Sequence, residues 1–257
     1  MTRIQSDNIK VSLVDVHKNL GGKDILTGVN LDIHEGESIV IIGQSGSGKS
    51  VTLRHMIALM EPDRGMVLVD GEKITSADEA TRVRLRSKFG MLFQGAALFD
   101  SMNVLENVGF MLYRYTDKSD EEIREIVKQK LALVGLRNVE EKKPSELSGG
   151  MKKRVGLARA IALEPEIILY DEPTTGLDPI TADIINDLII DMRDKLNVTS
   201  IVVTHDMTSA YKVGERIAML YKGKIIYTGL MNEVQQTRDE YVRQFIEGRA
   251  EGPIDMV

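Results

Sequence analysis

The chain has 257 residues, enough for one large domain or two small ones, and its 42% hydrophobic and 28% charged residues are typical of a folded globular protein. Its formal net charge of −6 provides no general attraction to nucleic acid or to anionic lipid. Cysteine is absent, which excludes disulfides and thiolate metal sites and is compatible with the cytoplasm.

The first predicted elements are two strands joined by a turn. Alternating apolar and polar residues predict a strand over Ile9–Val16, and Gly21–Gly22 is typical of a turn into a second strand over Ile25–Ile33. The apolar run Ser38–Ile42 predicts a buried strand, and Val51–Leu59 has the character of a helix. The loop between this strand and this helix carries the strongest functional signal in the chain.

That loop has the sequence Gly43-Gln44-Ser45-Gly46-Ser47-Gly48-Lys49-Ser50, the G-x-x-x-x-G-K-[ST] pattern of a phosphate-binding loop. Its glycines allow the sharp turn that presses backbone N–H groups against phosphate oxygens, and the following helix adds its positive N-terminal dipole. The pattern predicts that Lys49 reaches the β- and γ-phosphates and that the Ser50 hydroxyl ligates Mg²⁺. Val51, the next residue, is also expected to contact the nucleotide. The chain is therefore predicted to bind a nucleoside triphosphate.

The middle of the chain is predicted to be helical. It is preceded by a turn at Pro62–Gly65 and a strand over Met66–Val69. A short basic helix over Thr81–Ser87 and a strand over Phe89–Phe93 follow. After these, two segments show helical spacing and no strand signal interrupts them, Val104–Leu112 and Asp120–Val134. We interpret residues 94–163 as a helical subdomain inserted in an α/β core of residues 8–93 and 164–240, with a short C-terminal tail over 241–257.

The core resumes with a buried strand over Ile167–Tyr170, which is followed by Asp171 and Glu172. Because α/β sheets place ligands at the carboxyl ends of their strands, Asp171 is a candidate to hold Mg²⁺, directly or through water. Glu172 beside it is a candidate general base that polarises the attacking water. An acidic strand end means little in isolation, and here the upstream phosphate loop gives it weight.

A second anion-binding helix start is predicted at Leu147–Met151. Ser148 is a favourable N-cap, and Gly149 and Gly150 leave the first N–H groups of a helix over Lys152–Leu163 uncovered. This helix start has no lysine of its own. The alternative interpretation is a capped helix with a glycine hinge that binds no anion. Two predicted anion-binding helix starts and one Mg²⁺ site in one chain indicate that a second copy completes the nucleotide pocket of the first.

The remaining elements alternate between helix and strand and end in a hairpin, over Pro179–Lys195, Ser200–Val203, Met207–Val213 and Ile217–Thr228. This alternation predicts an α/β fold with a mostly parallel sheet covered on both faces. Several basic residues have no predicted partner and are expected on the surface: His17, His34, His55, Lys142, Lys143, Lys152, Lys153 and Arg154.

Taken together, these segments resemble the nucleotide-binding domain of an ATP-binding-cassette (ABC) transporter over nearly the whole chain. The Walker A loop matches Gly43–Ser50, the Q-loop matches Gln94, and the signature matches Ser148–Gly150. The Walker B strand matches Ile168–Asp171, and Glu172 after it stands at the catalytic glutamate. The D-loop matches Leu177–Asp178, and His205 stands at the switch histidine. The resemblance implies an ABC-type P-loop NTPase fold with a RecA-like parallel core sheet, an N-terminal antiparallel β subdomain and an inserted α-helical subdomain.

The resemblance also implies a head-to-tail dimer that sandwiches two Mg-ATP, hydrolyses them and thereby moves an attached permease. Each signature would face the γ-phosphate held by the other subunit. Asp178 of the D-loop is also expected to contribute to nucleotide binding. His205 would contact the γ-phosphate and hold the water and Glu172 in line. Gln94 would touch Mg²⁺ and the water, while the segment after it meets the permease.

Two positions depart from the family pattern. Family members commonly stack an aromatic ring on adenine from the first hairpin, whereas this sequence has Leu20 there. Because base–aromatic stacking is worth roughly 1–3 kcal/mol, only modest ATP affinity is expected. The signature is followed by Met151 where glutamine is commoner. Since the phosphate contacts come from Ser148 and the glycines, activity is expected to survive this difference.

Three stretches resemble, more specifically, the Mla-type ATPase of lipid transporters that contain Mce-domain proteins, Phe93–Val104, Pro144–Met151 and Val242–Gly248. This resemblance implies phospholipid transport between the inner and outer membranes, in support of outer-membrane lipid asymmetry. It implies an integral permease, a periplasmic Mce-domain subunit and a small cytoplasmic STAS-domain protein as partners, and no nucleic acid. Some relatives exchange C-terminal extensions across the dimer, which is not expected here because the sequence stops at Val257.

The location follows from what the sequence lacks and from the resemblance. Residues 1–7 have no apolar core of a signal peptide, and no apolar run approaches the ~18 residues of a membrane span. We therefore expect the chain at the cytoplasmic face of the inner membrane, held there by the permease.

Three alternatives compete with this interpretation. A polar amino-acid importer that depends on a solute-binding protein would use the same core, but more usually with glutamine at position 151. A non-transport ABC-type ATPase would show a long coiled-coil insert or a tandem second cassette, and neither occurs here. A catalytically inactive binding module would have lost Lys49, Glu172 or His205, and all three are kept.

Overall fold

The computed structural model describes residues 8–255. The expectation about a signal peptide in residues 1–7 and the last two residues of the predicted tail lie outside this range. Within residues 8–255, no helix combines the length and the apolar character that a membrane crossing requires.

The strands are found where the apolar patterns predict them, with shifted ends and one unpredicted short strand, β5. Their bounds are β1 Ile9–Leu20, β2 Lys23–His34, β3 Ser38–Ile42, β4 Arg64–Val69, β5 Glu72–Lys73, β6 Phe89–Leu92, β7 Ile167–Asp171, β8 Thr199–Val203, β9 Arg216–Tyr221 and β10 Lys224–Leu230.

The predicted helices are also present, and α8 is an addition that begins at the last residue of the predicted core and continues into the segment predicted only as a tail. Their bounds are α1 Lys49–Met56, α2 Glu79–Arg86, α3 Val104–Tyr115, α4 Asp120–Leu133, α5 Gly149–Ala160, α6 Pro179–Leu196, α7 Met207–Val213 and α8 Glu240–Glu247. Polar N-caps start most of them. Helices α3 and α4 begin with capping boxes, formed by Asn103 with Glu106 and by Ser119 with Glu122.

Two compact units make up the described chain. The first comprises the residues up to Arg82 together with those from Ile201 onwards, and the second spans Val83–Ser200. The predicted domain boundaries at 93/94 and 163/164 both fall inside the second unit. This division therefore does not test them, and they stay a prediction.

The first unit contains an antiparallel sheet in the order β2-β1-β4-β5 and a run of strands in the order β10-β9-β3. Strands β3 and β9 are parallel, whereas β9 and β10 form the predicted hairpin. The part of β8 that belongs to this unit lies beside β3, and the Thr204 N–H that follows it donates to the Ile41 carbonyl at 3.3 Å. All five residues of β3 are buried, as its unbroken apolar sequence predicts.

The second unit combines a parallel strand pair with helices. Strand β6 pairs with β7, and the N–H of Thr199 at the start of β8 donates to the Glu166 carbonyl at 3.0 Å. Strand β7 is buried along its whole length. Helices α3, α4, α5 and α6 also belong to this unit. The fold is thus α/β with antiparallel and parallel sheets, as predicted.

Candidate functional site

The phosphate loop joins β3 to α1 and has the backbone that its glycines predict. Gly46 (φ 79°) and Gly48 (φ 105°) lie in the region of positive φ that favours glycine. A Cβ on Gly43 would lie 2.3 Å from the Leu220 carbonyl oxygen, so no larger residue fits there. Gly48 is the N-cap of α1 and has no side chain with which to cap it. The helix start is therefore shaped to receive an anion on its backbone N–H groups.

Lys49 places a positive charge within this loop. Its side chain is buried, and Nζ donates hydrogen bonds to the carbonyl oxygens of Gly43 (2.8 Å) and Gln44 (3.0 Å). The ammonium is thus held over the loop, in the position from which such a lysine meets phosphate oxygens. Ser50 and Val51 follow in the first turn of α1, and both are partly exposed.

His205 lies in the turn between β8 and α7. The preceding residue, Thr204, bonds to Ile41 of β3, the strand that leads into the phosphate loop. Asp206 caps α7 by accepting from the N–H groups of Thr208 (3.0 Å) and Ser209 (3.2 Å). His205 itself is exposed at the end of its strand. Neighbouring strands of the first unit thus place this histidine at the same edge as the phosphate loop.

Leu20 ends β1 at the Gly21–Gly22 turn, where the predicted adenine contact would be made. Its side chain is 40% exposed. The two glycines have φ of 59° and 85°, as a tight two-residue hairpin requires. An aromatic ring at this position would therefore have room to lie on a bound base.

The second unit holds the predicted acidic pair at the end of β7. Asp171 and Glu172 are both buried. Glu172 has a φ of 49°, which is unusual for a non-glycine residue, and its carboxylate Oε2 accepts a hydrogen bond from the Thr175 hydroxyl at 3.1 Å. The backbone therefore turns sharply at Glu172, and its side chain has a fixed partner.

Lys153 corrects the prediction that the Lys152–Arg154 run is solvated. Lys153 is buried, and its Nζ donates to the carbonyl oxygens of Gln94 and of Glu172, the latter at 3.2 Å. Burial lowers the pKa of this lysine, and the negative charges of Asp171 and Glu172 oppose that effect. The Gln94 side chain is exposed. The two predicted residues Gln94 and Glu172 are thus brought together through a residue that the sequence analysis missed.

The signal that could have found Lys153 is helical spacing. It lies three residues after Gly150 and three before Gly156, both buried, so it shares their face of α5. The expectation of a surface location was also wrong for His55, which is fully buried on α1 and whose Nδ1 lies 2.7 Å from the Val51 carbonyl oxygen. Burial lowers the pKa of His55. By contrast, Lys142 and Lys143 are exposed, as predicted.

The signature residues start α5 as predicted. The Ser148 hydroxyl accepts from the Met151 N–H at 3.3 Å, and Ser148 and Gly149 are exposed. A Cβ on Gly150 would lie 2.5 Å from Cγ2 of Thr181, and one on Gly149 would lie 3.5 Å from Cδ2 of Leu177. The signature therefore packs against the start of α6.

Asp178 caps α6 at that contact. Its carboxylate accepts from the N–H groups of Ile180 (3.1 Å) and Thr181 (3.0 Å) and from the Thr181 hydroxyl (2.5 Å). These hydrogen bonds, first that of the Thr181 side chain, lower the pKa of Asp178. The signature and the D-loop thus form one polar surface of the second unit.

The predicted Mg²⁺ ligands have the donor chemistry that this ion prefers. Among residues 8–255, no cluster of three or more His, Asp or Glu side chains could hold a metal ion unaided. The hydroxyl of Ser50, the amide of Gln94 and the carboxylate of Asp171 are hard oxygen donors, and Mg²⁺ commonly takes one or two such groups together with phosphate oxygens and water. Each of these side chains therefore has the donor chemistry of a ligand for an ion that arrives with the nucleotide.

Several known proteins are similar to this chain in sequence and in fold. Residues 26–175 match a family model described as ABC transporter. Chloroplastic protein TRIGALACTOSYLDIACYLGLYCEROL 3 of Arabidopsis thaliana is 43% identical, over 96% of this chain and 76% of its own length. The probable ribonucleotide transport ATP-binding protein mkl of Mycobacterium leprae is 44% identical, over 96% of this chain and 72% of its own.

Two further similarities bear on function and assembly. MlaF, the intermembrane phospholipid transport system ATP-binding protein of Escherichia coli K12, is 39% identical over 95% of this chain and 91% of its own length. A dimeric post-hydrolysis structure of the ATP-binding cassette MJ0796, bound to ADP and Pi, superposes with a TM-score of 0.79 at 36% identity. It covers 86% of this chain and 98% of its own.

Proposed function

Because this chain belongs to the ABC transporter family, we propose that it is the ATPase subunit of a transporter whose cargo is phospholipid. Membership makes the chain an ATPase that uses ATP with Mg²⁺, forms a dimer and pairs with a membrane permease. The cargo is the part that goes further. The observation that carries it is the 39% identity to MlaF over nearly the full length of both chains, since MlaF is named for phospholipid transport.

The name of a second relative supports a lipid cargo, and the name of a third indicates a different class of cargo. The Arabidopsis protein bears the name of a galactolipid, whereas mkl is named as a probable ribonucleotide transport protein. Ribonucleotides are therefore the alternative cargo, and a polar amino acid is the alternative that the common cassette core leaves open. The identities of 39–44% do not rank these cargoes, so a direct measurement of the cargo is required.

The roles proposed for the site residues follow the arrangement within each unit. In the first unit, the phosphate loop and Lys49 would hold the phosphates, and His205 would meet the γ-phosphate at the same strand edge. In the second unit, Glu172 would accept a proton from the attacking water, with its carboxylate oriented by Thr175. Mg²⁺, when bound, would neutralise developing charge on the phosphates.

The segment after Gln94 would meet the permease. Phe99 is 43% exposed, although its ring lies 4.8 Å from that of Phe110. A groove beside it on α3 is lined by Met102, Glu106, Phe110, Tyr113 and Arg114. Exposed aromatic groups of this size are typical of protein interfaces. We assign Mce-domain and STAS-domain partners, and the cytoplasmic face of the inner membrane, on the resemblance to MlaF alone.

The experiment is a mild-detergent purification of the tagged protein from its native membrane, followed by mass spectrometry of the proteins and lipids that accompany it. A permease, an Mce-domain protein and bound phospholipid are the expected result. A permease that binds a soluble solute-binding protein, with ribonucleotide or amino acid in place of lipid, would overturn the cargo. Ribosomes or DNA-repair proteins without a permease would contradict transport itself.

A further inference from the structure

Helix α5 carries two basic side chains that reach back to the segment after β6. Near its start, Lys153 contacts the Gln94 carbonyl, and two turns later Arg159 donates to the carbonyl oxygens of Ala96 and Ala97, both at 2.7 Å. Ala96 and Ala97 have φ of 59° and 47°, so their carbonyls are turned out of any regular ladder. The backbone of residues 94–97 is therefore held by α5 at both of its ends.

Lys153 has a second contact that Arg159 lacks. Its Nζ also donates to the Glu172 carbonyl at 3.2 Å. Because Glu172 has a φ of 49°, this carbonyl points away from the direction that an extended strand would give it. A buried ammonium with three donors is well suited to a group of displaced carbonyls, and it is costly to bury without them.

The Glu172 carboxylate is fixed from the other side. Thr175 donates through its hydroxyl to Oε2 at 3.1 Å and through its N–H to the Glu172 carbonyl at 3.3 Å. Lys153 and Thr175 thus hold the same carbonyl, and Thr175 holds the carboxylate as well. Removal of Lys153 would take one of the two donors shown here away from the Glu172 carbonyl, and the direction of the carboxylate would be less well defined.

We infer that Lys153 is a positioning residue that links the start of α5 to Gln94 and Glu172. An anion bound at Ser148–Gly150 would then hold the helix whose buried ammonium fixes the backbone of the general base and of the segment that follows Gln94. The inference rests on the proposed role of Glu172, and it does not depend on which cargo is transported. A lysine that merely fills the core would give stability without this effect on turnover.

The test compares three substitutions in the full chain, purified with its membrane partners. Lys153→Met removes every donor at similar length, and Lys153→Gln keeps two N–H donors without the charge. Lys130→Met is the matched control, because Lys130 is also a buried lysine of the second unit, and its Nζ pairs with the Glu164 carboxylate at 3.0 Å. For each variant kcat, ATP affinity and the melting temperature are measured.

For Lys153→Met we expect a kcat about 10- to 100-fold below wild type, the loss typical of a hydrogen bond made by a charged group, at unchanged ATP affinity. Lys153→Gln should recover part of that loss, and Lys130→Met should lower the melting temperature but not kcat. A wild-type kcat in Lys153→Met would overturn the inference. So would equal losses of kcat in Lys153→Met and Lys130→Met.

A double variant separates this inference from the proposed role of Glu172. In the Glu172→Gln background, followed under single-turnover conditions, Lys153→Met should have little further effect because both changes act through the same carboxylate. Multiplicative losses would mean that Lys153 acts elsewhere. Near-normal turnover of Glu172→Gln alone would instead remove Glu172 from the base role, whatever the result for Lys153.

Discussion

Two helix starts in this chain are built to meet an anion, and they differ in what they supply themselves. Helix α1 begins at Gly48, which has no side chain, and Lys49 beside it places an ammonium in the loop. Helix α5 begins at Ser148, whose hydroxyl already accepts from the Met151 N–H, although at a long 3.3 Å. The first start is an anion site in its own right, whereas the second offers a polar surface without a dedicated cation.

This difference indicates a division of labour. A nucleotide would be bound first by α1, because a charge-assisted contact there outweighs a neutral cap. The start of α5 would add only the smaller increment that closes a dimer on a nucleotide held by another copy. Substitutions at the start of α1 should then weaken ATP binding, whereas substitutions at the start of α5 should lower turnover without weakening ATP binding. Control substitutions elsewhere should change neither quantity.

The largest effect is expected from Glu172→Gln, which alters neither helix start. Turnover should fall by roughly 10²–10⁴-fold because the proposed general base is lost, while ATP still binds. Steady-state hydrolysis and equilibrium binding measure the two quantities, with Glu121→Gln on the exposed side of α4 as the control. Near-normal turnover in the Glu172 variant would contradict its proposed role.

The next effect is expected from Lys49→Met at the first start. Loss of a hydrogen bond from a charged donor, worth about 1.5–3 kcal/mol, should weaken ATP binding by roughly 10- to 100-fold. Titration of the monomeric chain with a fluorescent ATP analogue measures this change. Lys128→Met, an exposed lysine on α4, is the control and should bind ATP as wild type does. Unchanged affinity in the Lys49 variant would remove the contrast between the two starts.

The reverse pattern is expected from Ser148→Ala at the second start. Loss of the cap and of the proposed phosphate contact should lower turnover by roughly 5- to 30-fold, since such a cap is worth about 1–2 kcal/mol, and should leave ATP binding to the monomer intact. The control is Ser145→Ala, an exposed serine three residues earlier. A parallel loss of monomer affinity would show that α5 binds the chain's own nucleotide.

A smaller effect, in the favourable direction, is expected from Leu20→Tyr beside the first start. A ring on the adenine should tighten ATP binding by about fivefold, from the ~1 kcal/mol lower end of base–aromatic stacking. Leu59→Tyr, at another exposed leucine, controls for added hydrophobic surface. If only the control tightens binding, or neither does, adenine lies away from the first hairpin.

The last effect concerns a buried titratable group within α1 and emerges only as the pH is lowered. Burial lowers the pKa of His55 below its ordinary 6.5, so the unfolded chain takes up a proton first as the pH falls. The contribution of His55 to stability should therefore be constant above pH 6.5 and decline below it, by at most ~1.4 kcal/mol per pH unit, until the folded pKa is reached. Denaturant unfolding at several pH values should show this decline in wild type and not in His55→Met.

The sequence predicted the features that depend on local backbone and missed those that depend on packing. The phosphate loop and the Ser148 cap were predictable because glycines and N-caps act within a few residues. The burial of Lys153 and His55 was not, because it depends on which helix face the rest of the chain covers. Helix α8 was missed since its buried face includes a polar residue, Gln244, which bonds to the backbone of Ile254.

The backbone at Glu172 has a consequence for how such chains diverge. A glutamate held at a φ of 49° costs a folded protein stability that glycine or asparagine would return, of order 1–3 kcal/mol for a strained residue. With Glu172 as the proposed general base, selection for hydrolysis must act against a drift toward those residues. In a duplicated copy that no longer hydrolyses ATP, position 172 is where that drift should begin, before any change in the phosphate loop.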